Sequence, residues 1–136
     1  MSNKYLIGWS EVDMTPDKKI RLAGQFYERV SEYVETPLSA TAMAISAGDE
    51  HVIFCSADLI SVGAQLMEDI RAIIADECPE INTDAVIVSA THTHTSYVYA
   101  GRSDGGIGSI CQREKTAHAC LYGIYVRTIA RDGRNE

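Results

Sequence analysis

Two histidines separated by one threonine, His92 and His94 in the run V-I-V-S-A-T-H-T-H-T-S, are the residues of this chain whose type and spacing could do chemistry. In an extended chain, side chains at i and i+2 share a face, so an H-x-H pair at a strand exit would aim both imidazoles at one place. Two neutral imidazoles can share a zinc ion, whose catalytic sites take three protein ligands and leave a further position for water or substrate. On spacing alone the pair is equally a polar strand exit with solvated rings, because nothing beside it specifies a third ligand.

Other chemistry-bearing residues each have a plain alternative. Asp58 could orient an imidazole as a supporting carboxylate, or it could cap a helix beginning near Ser61 to Ala64. Arg29 could meet a substrate carboxylate or pair with Glu28 or Glu32 on the surface. Asp13 is explained by turn chemistry, and Trp9 is expected in the core. Cys55, Cys78, Cys111 and Cys120 form no C-x-x-C pair, so reduced thiols are expected, with Cys55 as a small core residue. The glycine cluster G-G-I-G-S lacks the preceding strand and the G-K-[ST] ending of a phosphate loop and reads as a linker.

The elements that must position the histidines can be traced from pattern. Leu6 to Val12 reads as a strand stopped by the M-T-P-D turn, since Pro16 has no amide donor and biases Thr15 away from helix. Lys18 to Thr36 has no clean period and reads as a long loop with a short extended piece, the kind of ordered excursion that tends to carry function. Thr41 to Ser46 and His51 to Cys55 flank A-G-D-E and predict a β-hairpin. From Ala64 to Glu77, Leu66, Met67, Ile70, Ile73 and Ile74 recur at helical spacing, and Pro79 ends the helix. Ala85 to Ser89 is a β-branched apolar run that suits a buried central strand. Val52 to Ser89 is then a βαβ unit with parallel strands, which places Asp58, His92 and His94 on the same sheet edge, where ligands of open α/β sheets bind. Beyond Tyr99 the pattern allows either a helix through Ala117, Cys120, Leu121 and Ile124 or a strand at L-Y-G-I-Y-V. The fold class expected is α/β (α+β), a mixed sheet with a hairpin and a βαβ unit.

Composition narrows the function classes. A chain of 136 residues with 46% hydrophobic and 23% charged residues has the length and composition of one globular domain. Its formal net charge of -7, with no clustered basic face, argues against a nucleic-acid surface. No segment reaches the length of a membrane span, and Met1 to Ile7 lack a signal-peptide core, so a cytoplasmic protein is the expectation.

Of the metal families that use similar letters, the H-x-H-x-D-H arrangement of metallo-β-lactamase-like sites fails, because Thr95, Ser96 and Tyr97 follow His94. An amidohydrolase barrel needs about 250 residues. A third comparison extends along the chain. In order, I-G-W-S-E-V-D-M-T-P, L-A-G-Q-F-Y-E-R-V-S-E, T-P-L-S-A-T-A-M-A-I, V-I-F-C-S-A-D-L-I and S-A-T-H-T-H-T-S resemble the N-terminal part of the neutral/alkaline non-lysosomal ceramidase family, over about residues 7–96.

That resemblance implies a zinc-dependent amidase cleaving the N-acyl bond of a sphingolipid or related compound, within a larger layered α/β sandwich. It implies His92 as a zinc ligand, His94 as a catalytic residue that positions substrate or stabilises the oxyanion, and Gly24 in the wall that binds substrate. Two departures stand out. The family continues T-H-T-H-S-G-P where this chain has T-H-T-H-T-S-Y, and the family's remaining zinc ligands lie further downstream than this sequence extends. The expected organisation is a ceramidase-like part over 1–100 and a glycine-rich segment with a C-terminal tail over 101–136. The expected protein is a fragment or shortened form of such an enzyme, with a small amide or lipid as partner and a homo-oligomer as a route to complete the site. The alternative is a non-catalytic subunit that binds a protein partner through an exposed sheet edge.

Overall fold

The computed structural model describes residues 4–99, 111–125 and 128–130. Its centre is a mixed five-stranded sheet built from β1 (Tyr5–Asp13), β4 (Ser39–Ala47), β5 (Glu50–Ala57), β6 (Val86–Ala90) and β7 (Thr128–Ala130), in the order β6-β5-β4-β1-β7. Only the β5–β6 pair is parallel; β1–β4, β4–β5 and β1–β7 are antiparallel. The excursion after β1 carries a two-stranded ribbon of β2 (Arg21–Leu22) and β3 (Arg29–Val30).

The hairpin between β4 and β5 turns through Gly48 and Asp49, with Gly48 at a left-handed φ of 60° that suits glycine. Helix α1 (Ala64–Glu77) then crosses to β6, completing the βαβ unit, and stops where the Cys78 amide reaches the Ile74 carbonyl (2.8 Å) just before Pro79. Past Tyr99 the helix prevails: a π-helical turn (Cys111–Lys115) leads into α2 (Thr116–Tyr125). Its buried Ala117, Ala119, Cys120 and Leu121 form part of the core, which explains why packing, and not periodicity alone, decides this segment.

Both helices cover one face of the sheet. Ala40, Ala42 and Ala44 of β4 and Ile53, Cys55 and Ala57 of β5 meet Leu66, Ile70 and Ile74 of α1 and the buried residues of α2. The small β4 side chains let α2 come close: a Cβ on Gly123 would sit 3.5 Å from the Ala42 Cβ. Alternation sends the opposite parity outward. Trp9, Met43, Phe54 and Ile87 stand opposite one another across four strands, with Trp9 61%, Phe54 42% and Ile87 50% exposed.

Two expectations are therefore corrected. Trp9 is not core, because on β1 it has the parity that points away from the helices, whereas Gly8 and Ser10 point toward them. β6 is not a central strand either: among the described residues it forms one edge of the sheet, and its apolar character reflects Val86 facing the core and Ile87 on the open face. No helix among the described residues is long and apolar enough to cross a membrane.

Candidate functional site

The parallel pairing of β5 and β6 brings their C-terminal ends together, as the βαβ pattern predicts. Ala57 pairs with Ala90, and the Thr91 amide donates to the Ala57 carbonyl (3.0 Å). Asp58 stands at this junction. Its Oδ2 accepts from the Ser39 amide (2.9 Å) and hydroxyl (3.4 Å), and its Oδ1 accepts from the Thr91 hydroxyl (3.0 Å). It touches neither imidazole and does not cap α1, whose N-cap is Gly63 with no side-chain cap. Its role is to tie the start of β4 to the residue before His92.

His92 and His94 do converge, though not by strand alternation. β6 ends at Ala90, and His92 has a φ of 63°, left-handed and the sole positive φ among non-glycine residues described. Such a conformation costs on the order of 1 kcal/mol or more and is held by its surroundings. Here those surroundings include the Thr91–Asp58 bond and the Ile60 carbonyl, to which His92 Nδ1 donates at 2.7 Å. A carbonyl can only accept, so this bond fixes the Nδ1–H tautomer and leaves the Nε2 lone pair free. That lone pair faces His94 Nε2 at 3.4 Å, with the ring planes at 75°.

The excursion 15–36 forms the opposite wall. Its ends are stitched by the Met14 amide to the Leu38 carbonyl (2.9 Å) and by the Leu38 amide to the Thr15 hydroxyl (2.8 Å). The Asp13 carboxylate accepts from the Thr15 amide (2.8 Å), which holds its carboxyl below the usual carboxylate range. Gly24, at φ 97°, presses its backbone against His94: a Cβ there would lie 2.5 Å from Cγ and 2.6 Å from Nδ1 of that ring. The Ala23 amide donates to the Ser96 carbonyl (2.7 Å), and Arg29 donates to the Ala23 carbonyl (2.9 Å) and to that of His94. Arg29 thus pairs with neither Glu28 nor Glu32; Glu28 takes Arg21 at 3.0 Å instead.

Beside the histidines opens a cleft of about 440 Å³ walled by Pro16, Ile20, Leu22, Val30, Val34 and Leu38, with Lys18 at its border and Thr95 as its link to the H-x-H turn. Exposed Phe26, Tyr27 and Tyr33 stand on the same excursion. Behind the turn, buried Tyr97 anchors the chain by donating to the Met14 carbonyl (2.9 Å), and Gln112 donates to the Tyr97 carbonyl (2.7 Å). His118 lies apart from the pair, bonded to Glu77 of α1 (3.2 Å) and stacked on Tyr122. The glycine cluster 105–109 falls outside the described residues.

Sequence reasoning missed the Ile60 carbonyl, the Thr91 tether and the carbonyl-gripping role of Arg29. No pattern announces a carbonyl contact; only the position of Asp58 on the shared strand edge pointed in the right direction.

The donor set can be weighed against zinc. His92 offers one such donor, a neutral Nε2 lone pair left free by the bond from Nδ1 to the Ile60 carbonyl. A ring nitrogen turned toward a backbone carbonyl is also the usual support of a metal-binding histidine. His92 fits as one ligand of a zinc site, while no group of three or more His, Cys, Asp or Glu residues suited to a metal occurs among the described residues.

The fold of this mixed α/β layer has counterparts among solved structures. The neutral ceramidase from Pseudomonas aeruginosa matches with a TM-score of 0.80 at 14% identity, over 95% of this chain and 23% of that one. A structure described as ceramidase complexed with C2 matches with a TM-score of 0.76 at 13% identity, over 94% of this chain and 22% of that one. The likeness is one of fold, and the chain spans less than a quarter of the length of the ceramidases it matches. The shared fold reaches past Ser96, beyond the stretch that carries the sequence resemblance. No family model and no curated protein matches the sequence.

Proposed function

We propose that the chain is a fragment or shortened form of a zinc-dependent amidase of ceramidase type, acting on the N-acyl bond of a sphingolipid or a related compound. The observation that carries this is the His92 ring, fixed by Ile60 with its Nε2 turned to His94 at 3.4 Å, at the strand edge of a ceramidase-like fold. His92 holds the metal through Nε2. What zinc supplies when bound is Lewis acidity toward a carbonyl oxygen and acidification of water.

His94 performs the second task. With His92 in its Nδ1–H tautomer, the 3.4 Å contact requires His94 Nε2–H as donor. With His92 Nε2 engaged by a metal, that N–H would be free to donate to a substrate carbonyl, where a donor stabilises developing negative charge. The Gly24 turn walls the site, and the cleft ending at Thr95 takes the apolar part of the amide. The remaining ligands come from polypeptide outside the described residues or from a second copy.

The alternative, a non-catalytic subunit, would use the edge of β6, which pairs with no further strand among the described residues. Titrating the zinc-loaded protein with a short N-acyl amide under NMR detection distinguishes the two. Shifts concentrated at Gly24, Leu22, Val30, His94 and Thr95 support the amidase; no shifts up to millimolar amide, or shifts confined to the β6 edge, overturn it.

A further inference from the structure

We infer that Arg29 is a positioning residue, which sets the orientation of the His94 ring by clamping the Gly24 turn against it. The guanidinium grips two carbonyls, those of Ala23 and His94, on either side of the place where Gly24 meets the ring. The Ala23 amide adds a second stitch to Ser96 at 2.7 Å. Between these fasteners the Gly24 backbone approaches so closely that even a methyl group would fall 2.5–2.9 Å from His94 Cγ, Nδ1 and Cβ. The ring is therefore seated on a surface whose position depends on the clamp.

An arginine suits this task for physical reasons. Both bonds leave one terminal guanidinium nitrogen, whose two hydrogens diverge in a fixed plane and whose charge is kept at all ordinary pH. No carboxylate competes for it, since Glu28 is engaged by Arg21. Arg29 reaches backbone only, so it acts through His94. His92 is fixed independently, by Ile60 and by Thr91–Asp58. The clamp thus governs one histidine of the pair and not the other.

The proposal rests on the functional role given to His94, but its test does not need zinc. In the full-length metal-free protein, cross-relaxation is expected between the Gly24 α-protons and the His94 side chain. Arg29→Ala should abolish it and move the His94 ring signals, with those of His51 and His118 in place. Arg29→Lys should restore the contact in part, and Lys19→Ala, at an exposed position of the same excursion, should change nothing. In the zinc-loaded protein, Arg29→Ala should weaken amide binding on the order of tenfold, the equivalent of one charge-assisted hydrogen bond, with zinc affinity unchanged.

Should Arg29→Ala fail to fold, Arg29→Gln keeps a neutral donor but shortens the reach to the Ala23 and His94 carbonyls, and the same loss of signature is expected. Unchanged Gly24–His94 contact in Arg29→Ala, or equal movement of all four histidine signals, would overturn the assignment. Absent zinc or amide binding alongside a lost Gly24–His94 contact would refute the amidase and leave the clamp standing.

Discussion

Replacing Asp58 tests the local architecture most sharply, because this one carboxylate joins β4 to the residue before the histidine pair. Asp58→Ala removes the acceptor for the Ser39 amide at 2.9 Å and for the Thr91 hydroxyl at 3.0 Å. Bonds to a charged acceptor contribute about 1.5–3 kcal/mol each. The hydroxyls can turn to water, and the site is half-buried, so the loss is dominated by the Ser39 amide and comes to about 2–3 kcal/mol. Asp58→Asn keeps one oxygen for the Ser39 amide and offers its NH₂ to the Thr91 oxygen, which limits the loss to about 1 kcal/mol. Urea unfolding at neutral pH reads both: with m near 1–3 kcal/mol/M, the alanine variant should shift its midpoint by about 0.7–3 M at constant m. A loss below about 0.5 kcal/mol for Asp58→Ala, or equal losses for the two variants, would refute the bracket.

Three further outcomes are expected. Trp9, the single tryptophan, should be strongly quenched by acrylamide, given its exposure of 61%; a shielded indole would mean that the open sheet face is covered in solution. Tyr99 donates to buried Asp69, and burial with this bond raises the Tyr99 pKa above its ordinary 10.0. A raised folded pKa makes a contribution that is complete below the ordinary value and lost as pH climbs through the folded one, so the stability gap between wild type and Tyr99→Phe should hold to pH 10 and close above it; a gap that widens there contradicts the contact. Gly123→Ala places its Cβ at an ordinary 3.5 Å from Ala42 in the last turn of α2, and should raise thermal stability by up to about 1 kcal/mol; a clear loss would mean that α2 packs more tightly on β4.

Much of the frame is legible in the sequence because it depends on local chemistry. The α1 bounds follow from five apolar residues at helical spacing and from Pro79, and the β4–β5 hairpin follows from Gly48 between two β-rich runs. Burial is less legible, since it depends on what lies beyond each strand. The run at β6 has the composition of an interior strand yet forms an edge, and Trp9 takes its environment from strand parity, which its size does not reveal. The convergence of the histidines was anticipated, but its cause was not: a left-handed φ at a histidine has no signature in residue type. The carbonyl contacts of Ile60, Ala23 and His94 are equally silent, because every residue carries that acceptor.

The central claim, that His92 holds zinc, is tested most directly by measuring zinc per chain after loading and buffer exchange, at several protein concentrations. The account predicts bound zinc that is lost in His92→Ala and kept in His94→Ala, rising with protein concentration if a second copy supplies ligands. Less than about a tenth of an equivalent at every concentration, unchanged by His92→Ala, would contradict it.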